Sequence, residues 1–481
     1  MLQAIPTAAS AAQPTGAGRA LRRPALPTAV AQAAAAMLAG AALLTSASAQ
    51  AGDCGLGATQ LERIRTIDKD VVDRGFAPGI VTSIYCEGRP VLAHAHGLAD
   101  AARQQAITPE HLFRIYSMSK PVTSVAAMIL ADEGKLKLDD PVARFIPEFA
   151  NATVYDAAQP AGAKLARAVT VRDLLRHTAG VTYRGTDNAV QKMYVRRGID
   201  NGGGAVALPE DDSKPVAGLG EMASRIAAIP LLGQPGERFT YGNSTDVLGR
   251  VVEVASGRSL GAFLDERIFK PLEMRDTSFV VSAGNQARLS AAYWAKSTAK
   301  GDARILKAAD TKTLDRGSFS IAEDPAKSVF AKPRAIEFGG AGLVSSAADY
   351  QRFLQMLLAG GSAGGKRIVS VAAVAEMTRN QLPESALANP QMVAQGLGFG
   401  LGFATIVDPA KAPAPVSPSF YFWGGAASTY FWVDPERRLS GVVMTQVFGG
   451  DVSAFYVDIL KQIYPPAPVE TAAAATQQNF N

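Results

Sequence analysis

A serine and a lysine three positions apart stand directly before a long apolar segment, and this arrangement constrains the fold most. Residues 117–120 read Ser-Met-Ser-Lys, and the segment from Pro121 to Glu133 has the length and composition of a helix broken by Gly134. Side chains three positions apart share one face of a helix, so the Lys120 ammonium can reach the Ser117 hydroxyl. Such a pair is one way to build a nucleophilic serine with a proton-handling partner at a helix start.

The pattern S-x-x-K is weak by itself, because a helix-capping serine and a solvated lysine give the same letters. Ser259 and Ser362 are rival nucleophiles, since each stands in a G-x-S-x-G sequence, a pattern that needs a strand before the serine and a helix after it. Here a helix is predicted before each of them. Ser259 is therefore interpreted as a helix cap and Ser362 as part of a glycine turn. The last histidine, His177, precedes both serines, which excludes the α/β-hydrolase order of a triad.

Four further motifs follow Ser117 and Lys120 in order. They are Leu-Leu-x-His-Thr-x-Gly at 174–180, Tyr-x-Asn at 241–243 after Gln-Pro-Gly-Glu, Gly-Gly-Ala-Gly-Leu at 339–343 before a helix with Asp349, and Leu-Gly-Phe-Gly-Leu-Gly at 397–402. With these companions the chain resembles the serine β-lactamase and penicillin-binding-protein superfamily, in its class C-like branch, and within it the family VIII carboxylesterases. The resemblance extends over roughly residues 58–464.

The resemblance implies an α/β (α+β) chain of the β-lactamase/transpeptidase-like fold: an antiparallel sheet flanked by helices, plus an inserted helical domain. Strand-like segments are expected at 79–85, 89–95, 420–433 and 439–445, and loop insertions at 184–218 and 296–335. The expected domains are a signal peptide at 1–49, a catalytic domain at 50–464 and a disordered tail at 465–481. Within the catalytic domain, the α/β part covers about 58–112 and 336–464, and the helical part about 113–335.

The third motif differs from that of the antibiotic-handling members. Their strand beside the site carries Lys-Ser/Thr-Gly, whereas this chain has Trp423, Gly424 and Gly425. The cleft thus loses a cation and gains an apolar wall, which favours neutral acyl groups over anionic peptides. The two glycines are expected to let the substrate approach the strand backbone. A packed core aromatic is the alternative interpretation of Trp423.

The resemblance also implies a mechanism without a cofactor or metal. Ser117 attacks the carbonyl carbon, and Lys120 and Tyr241 share the proton transfers, with Tyr241 the favoured base and proton shuttle. Asn243 orients Lys120 or the acyl side of the substrate. The oxyanion is held by the backbone N–H groups of Ser117 and Ala426. Which of Lys120 and Tyr241 holds the proton at rest stays open.

The remaining polar candidates are expected to have structural roles. Asp246, one helical turn after Asn243, is interpreted as a helix charge. His177 is interpreted as part of a turn, and His94 and His96 as strand residues that face one side without a third metal ligand.

The N-terminal sequence indicates export. Arg19, Arg22 and Arg23 precede the apolar run 29–44, and Ala-Ser-Ala at 47–49 matches a cleavage pattern. The run is shorter than the ~20 residues that a bilayer span needs, so a retained anchor is the weaker interpretation. Cleavage near position 49 predicts a periplasmic or secreted protein with no stable membrane insertion.

The net charge and the cysteine content limit the kinds of binding partner and of covalent cross-link that the sequence predicts. The formal net charge is +5, of which three charges lie in the predicted leader, and nothing indicates binding to nucleic acid. The two cysteines, Cys54 and Cys86, either pair after export or are unrelated thiols. The oligomeric state is left open.

A small-molecule ester is therefore the expected substrate of a carboxylesterase. Two alternatives keep the same apparatus: a β-lactamase or D,D-peptidase acting on antibiotics or cell-wall peptides, and an amidase or acyltransferase. A catalytically silent, penicillin-binding-like ligand-binding protein is an alternative of another class, and the intact Ser117, Lys120 and Tyr241 argue against it.

Overall fold

The computed structural model describes residues 54–202, 216–295, 319–388, 390–449 and 453–465. The predicted signal peptide and all but the first residue of the predicted tail lie outside these residues. No helix among the described residues is both long and apolar enough to span a bilayer.

The helices of the described residues alternate with short 3₁₀ turns. The α-helices are α1 Ala58–Asp73, α2 Ser119–Asp132, α3 Val171–Leu175, α4 Ala189–Arg196, α5 Leu219–Ala227, α6 Ser244–Ser256, α7 Leu260–Leu264, α8 Ala347–Leu358, α9 Val371–Thr378, α10 Pro390–Ala394 and α11 Ser453–Ile463.

The strands form one large sheet and several small ones. They are β1 Gly79–Cys86, β2 Arg89–Asp100, β3 Gln105–Ala106, β4 Phe113–Arg114, β5 Thr153–Asp156, β6 Gln159–Lys164, β7 Ala292–Ala295, β8 Phe319–Glu323, β9 Val344–Ser345, β10 Ser362–Ala363, β11 Lys366–Arg367, β12 Leu397–Phe399, β13 Ala404–Ile406, β14 Tyr421–Gly425, β15 Thr429–Asp434, β16 Leu439–Met444 and β17 Val447–Phe448.

The large sheet is antiparallel and joins the two ends of the chain. Its order is β12-β13-β14-β15-β16-β1-β2-β3, and the central pair places Val81 opposite Met444. Successive side chains of a strand point to opposite faces. Val442 therefore packs in the core on the α2 and α8 side, while Val443 packs in the separate core formed with α1 and α11. The expected α/β class, with helices on an antiparallel sheet, is confirmed.

Helix α2 occupies the centre of the larger core. Every residue from Ser119 to Leu130 is buried, and α2 packs against α6. An all-round apolar helix is stable only when it is enclosed in this way. Ser117, the predicted nucleophile, lies in the turn that directly precedes this buried helix.

Four local expectations need correction or completion. The segment 420–433 is two strands, β14 and β15, separated by a turn in which Ser428 has a φ of +58°. The expected loop 184–218 contains helix α4, with 203–215 outside the described residues. The expected loop 296–335 contains strand β8, with 296–318 outside. The expected helical part also contains strands β5 to β8.

The open question about the cysteines is answered by the structure. Cys54 and Cys86 are joined by a disulfide and both are buried. The bond ties the segment before α1 to the end of β1, closing a loop that contains the whole of that helix.

Candidate active site

Ser117 lies in a single 3₁₀ turn between β4 and α2. The residue before it, Tyr116, has a φ of +42°, a left-handed conformation that costs a bulky side chain about 1–3 kcal/mol. Its ring packs edge-on against Phe448 and Phe330, at centroid distances of 5.2 and 6.3 Å. This packing holds the strained turn in place, and with it the position of the Ser117 hydroxyl.

Lys120 is fully buried one helical turn after Ser117, and oxygen atoms surround its ammonium group. Nζ donates to Ser117 Oγ at 3.1 Å, to the Tyr183 hydroxyl at 2.9 Å and to the carbonyl oxygen of Gly340 at 2.8 Å. The structure therefore brings Ser117 and Lys120 together, as S-x-x-K predicts, and adds two acceptors from distant segments.

Tyr183 was not identified from the sequence. It lies three residues after the Leu-Leu-x-His-Thr-x-Gly motif, and its ring stands edge-on to that of Tyr241, with centroids 5.6 Å apart. Gly242 explains this approach, because a Cβ at that position would collide with the backbone of Thr182. The central glycine of Tyr-x-Asn thus lets the segments that carry Tyr183 and Tyr241 touch.

Tyr241 lies between Lys120 and Trp423. Lys120 Nζ is 4.7 Å from the centroid of the Tyr241 ring, and the Trp423 indole N–H donates to the Tyr241 hydroxyl oxygen at 3.2 Å. From the sequence, Trp423 was interpreted as an apolar wall, with a packed core aromatic as the alternative. The structure shows that its indole also supplies a hydrogen-bond donor to the Tyr241 oxygen.

Asp246 is completely buried beside the site, which corrects its interpretation as a helix charge. Its carboxylate accepts the side-chain amide N–H of Asn243 at 2.8 Å and the backbone N–H of Gly340 at 2.9 Å. The carbonyl of the same Gly340 accepts from Lys120. Asn243 thus contacts Asp246, and one residue, Gly340, links Asp246 to the ammonium of Lys120.

Burial and neighbouring charges together determine the protonation of Lys120, Tyr183 and Asp246. Burial alone lowers the pKa of Lys120, but the oxygens of Tyr183 and Tyr241 and the carboxylate of Asp246 outweigh it, so that the pKa of Lys120 is raised. Burial raises the pKa of Tyr183. Burial also raises the pKa of Asp246, while Lys120 opposes that rise. At neutral pH these directions leave an ammonium on Lys120 and a neutral phenol on Tyr183.

The end of β14 lies against the segment that precedes Ser117. Gly425 touches the backbone of Ile115, and a Cβ there would collide with the Ile115 carbonyl oxygen. Gly425 is therefore required by a contact inside the protein, in addition to lining the cleft with Gly424. Ala426 follows Gly425 and lines the same cleft as Ser117, and the backbone N–H groups of these two residues are the expected oxyanion donors.

His177 is buried against the ring of Tyr241, with centroids 4.7 Å apart. Burial, and then the charge of Lys120, hold the pKa of His177 well below its usual range. The imidazole is therefore neutral and packs as an aromatic ring, in agreement with the structural role expected for it.

The cleft over Ser117 has a volume of about 930 Å³. Seven of the sixteen described residues that line it are aromatic. They are Tyr116, Tyr183, Tyr241, Trp294, Phe422, Trp423 and Phe448. Gly424, Gly425 and Ala426 line the same cleft as Ser117, as does Trp423, so the residues expected on this strand to bind substrate do line the cleft.

The other histidines offer no metal centre. His94 Nδ1 lies 2.7 Å from a carboxylate oxygen of the buried Asp68, and the His96 ring stacks beside that of His94. Within the described ranges, no three or more His, Cys, Asp or Glu side chains are placed to hold a metal ion.

Comparison with known protein families shows to which family this chain belongs. A model of the Beta-lactamase family matches residues 64–463. The chain belongs to this family. Protein Rv1367c of Mycobacterium tuberculosis (strain ATCC 25618 / H37Rv) is 33% identical over 383 residues, which cover 77% of this chain and 86% of that protein.

The similar proteins include an esterase and a hydrolase. Esterase EstB of Burkholderia gladioli is 31% identical over 369 residues, covering 76% of this chain and 85% of that protein. The solved structure of EstCE1, described as a hydrolase with promiscuous acyltransferase activity, superposes with a TM-score of 0.68 at 27% identity. The superposition covers 84% of this chain and 98% of the EstCE1 chain.

Proposed function

We propose that the protein is a serine hydrolase that cleaves small-molecule carboxylic esters through an acyl-enzyme on Ser117, as a family VIII carboxylesterase. The observation that carries the proposal is the 3.1 Å contact between Lys120 Nζ and Ser117 Oγ at the cleft. Ester hydrolysis is further supported by the Beta-lactamase family match and by the esterase EstB and the hydrolase EstCE1 among the similar proteins.

In the acylation step, Tyr241 acts as the base. Its oxygen takes the Ser117 proton while Ser117 Oγ bonds to the ester carbon, and the carbonyl electrons move to the oxygen held by the N–H groups of Ser117 and Ala426. When the carbon–oxygen bond to the alcohol breaks, the alkoxide takes that proton from Tyr241. The raised pKa of Lys120 supports this division of roles, because a retained ammonium is a poor base but stabilises a phenolate.

Deacylation repeats the same steps with water. Tyr241 takes a proton from water as its oxygen bonds to the acyl carbon, and the proton then returns to Ser117 Oγ as the acyl–oxygen bond breaks. The sum is ester plus water giving acid plus alcohol. Asn243 and Asp246 are positioning residues here, because they act on Lys120 through Gly340.

Discrimination against β-lactams follows from the third motif. The indole of Trp423 lies where the antibiotic-handling members have the lysine that would contact a carboxylate. Glu323 is the charged residue among the described residues that line the cleft, and its carboxylate is paired with Arg114. An anionic β-lactam therefore meets no lining cation that would pair with its carboxylate, so slow turnover is expected for this class.

Export of the mature protein is the second part of the proposal. The basic, apolar and small-residue sequence of the first 49 residues supports cleavage near position 49 and a periplasmic or secreted location. The disulfide between Cys54 and Cys86 supports the same location, because such bonds persist in oxidising compartments.

A paired hydrolysis assay tests the proposal. Purified mature protein, Ser117→Ala and Ser362→Ala are compared on p-nitrophenyl butyrate and on nitrocefin, a chromogenic cephalosporin. Ser362→Ala is the matched control, since that serine stands in a G-x-S-x-G sequence away from the cleft. We expect butyrate turnover that is lost in Ser117→Ala, kept in Ser362→Ala, and much faster than nitrocefin turnover.

The other outcomes are equally informative. Preference for nitrocefin over butyrate would replace the esterase proposal with a β-lactamase one and contradict the interpretation of Trp423. Cleavage of neither substrate would favour the silent binding protein. Full activity in Ser117→Ala would show that another group is the nucleophile.

A further inference from the structure

Two large apolar side chains at the catalytic cleft are exposed. Trp294 and Val329 are 42% and 41% exposed, although they are large hydrophobic residues. Trp294 lies on strand β7, which pairs with β8, and Trp294 and Val329 both line the cleft. Contiguous apolar surface of this kind on a soluble protein marks a ligand or partner site.

Phe448 extends this surface and attaches it to the nucleophile. Its ring lies 4.8 Å from that of Trp294 and 5.2 Å from that of Tyr116, the residue before Ser117. We call the surface formed by Trp294, Phe448 and Val329 the aromatic wall. A group bound there lies in the same cleft as an ester bond at Ser117.

The aromatic wall is also hydrogen-bonded to the turn at 426–428, in which the Ala426 N–H is an expected oxyanion donor. The backbone N–H of Val447 donates to the Ala427 carbonyl at 3.1 Å, and the Ser428 hydroxyl donates to the Val447 carbonyl at 2.8 Å. Val447 directly precedes Phe448 on β17. The distance between the wall and the reacting carbonyl is therefore set by backbone hydrogen bonds, as specificity requires.

The size of the cleft indicates a substrate much larger than a simple short-chain ester. Pockets of about 300–1,000 Å³ enclose drug-sized ligands. The cleft of this protein, at about 930 Å³, lies near the upper end of that range. A butyrate ester would leave most of it filled with water and the aromatic wall uncovered.

The charges of the cleft indicate a neutral substrate. Glu323 is already paired, since one of its carboxylate oxygens lies 3.0 Å from Nε of the buried Arg114. It therefore offers no free charge for a cationic group, and the other described residues that line the cleft carry none. Recognition at the wall has to come from apolar and aromatic contact.

We infer that the natural substrates are neutral esters that carry a bulky, ring-containing apolar group, which stacks on Trp294 and Phe448 while Ser117 attacks the ester carbon. The inference rests on the proposed ester hydrolysis and adds the substrate class. Rigid rings suit such a wall better than flexible chains, because fewer rotors are immobilised on binding.

The test compares esters within two series, each with one type of leaving group. The first series is p-nitrophenyl butyrate, p-nitrophenyl octanoate and p-nitrophenyl naphthylbutyrate, and the second is ethyl butyrate and naphthylethyl butyrate, which places the naphthyl ring on the alcohol side. In at least one series we expect kcat/KM at least tenfold higher for the naphthyl ester than for the butyrate ester without the naphthyl group, and in the first series also higher than for octanoate. In Trp294→Ala this ratio should fall about tenfold.

Two further variants keep the test decisive. Phe448→Leu should lower the same ratio if Trp294→Ala does not fold. Tyr155→Ala is the matched control, because Tyr155 is an aromatic residue 39% exposed on β5 and does not line the cleft. It should leave the ratio unchanged.

A failure of this inference can be distinguished from a failure of the proposed ester hydrolysis. Butyrate hydrolysis with no preference for either naphthyl ester, or a preference that survives both wall variants, overturns the inference and leaves ester hydrolysis standing. Loss of all hydrolysis in the unsubstituted protein overturns the proposed function and the inference with it. Binding of lipid vesicles that Trp294→Ala abolishes, without any ring preference in hydrolysis, would assign the wall to a membrane surface instead.

Discussion

The substitution Asp246→Asn removes a buried negative charge and keeps the shape of the side chain. Asp246 accepts one hydrogen bond from Asn243 and one from the Gly340 N–H, on different oxygens. An asparagine has one oxygen, so one of these donors loses its acceptor. The Gly340 carbonyl still accepts from Lys120, but the ammonium no longer faces a carboxylate.

Two effects of predictable size follow. Loss of a hydrogen bond to a buried charged group costs about 1.5–3 kcal/mol, and breaking a directly contacting buried pair costs about 3–5 kcal/mol. Since Gly340 separates Asp246 from Lys120, we expect the unfolding free energy to fall by about 2–4 kcal/mol. Removing the negative charge also makes the Lys120 ammonium easier to deprotonate, so its pKa falls.

The pH profile of kcat/KM separates these effects. Because activity requires the ammonium of Lys120, we expect the alkaline limb to move to lower pH by about one unit in Asp246→Asn. Asp173→Asn is the matched control: Asp173 is equally buried but is bound by Arg167 and Arg176 instead of Gly340. An unshifted limb in Asp246→Asn, with a stability loss like that of the control, would refute the electrostatic role.

Three further predictions concern single contacts. Trp423→Phe removes the N–H that donates to Tyr241, so kcat should fall about tenfold with little change in KM, and steady-state kinetics that show kcat unchanged would contradict this. Cys86→Ser opens the loop closed with Cys54, so urea unfolding should show a loss of about 3–4 kcal/mol. Burial raises the pKa of Asp173, but hydrogen bonds from arginine and threonine groups outweigh it and lower the pKa from 3.8 to about 2. The resulting ~2 kcal/mol is present above pH ~4 and lost as the pH falls through 2, so the stability difference from Asp173→Asn should vanish there.

The fold was predictable where local chemistry determines an element. The helix predicted before Ser259 is present as α6, which starts after the Tyr-x-Asn turn and ends at Gly257, which has a φ of +71°. The cap predicted at Ser259 is present, as its hydroxyl accepts the N–H of Ala262. The break between β14 and β15 was missed because Ala426–Ser428 contains no Gly, Pro or Asn. Ser428 is held in its left-handed conformation by a bond to the distant Val447.

The site was predictable only as far as its motifs extend. Ser117 and Lys120 are neighbours in sequence, so their contact follows from helix geometry. Tyr183 is 63 positions from Lys120, and Asp246 is 94 positions from Gly340. Such contacts depend on how the chain folds back on itself, and no periodicity in the sequence predicts them. The position of Asp246 one turn after Asn243 was the available signal, and it was interpreted as a helix charge.

The central claim is that Ser117 is the acylated nucleophile, and stoichiometric labelling tests it most directly. The mature protein is mixed with a p-nitrophenyl alkylphosphonate, which transfers its phosphonyl group irreversibly to an activated serine and releases nitrophenolate. Release of one equivalent, with the added mass on the peptide that contains Ser117 and none in Ser117→Ala, is the predicted result. A label on another residue, or undiminished labelling of Ser117→Ala, would contradict the account.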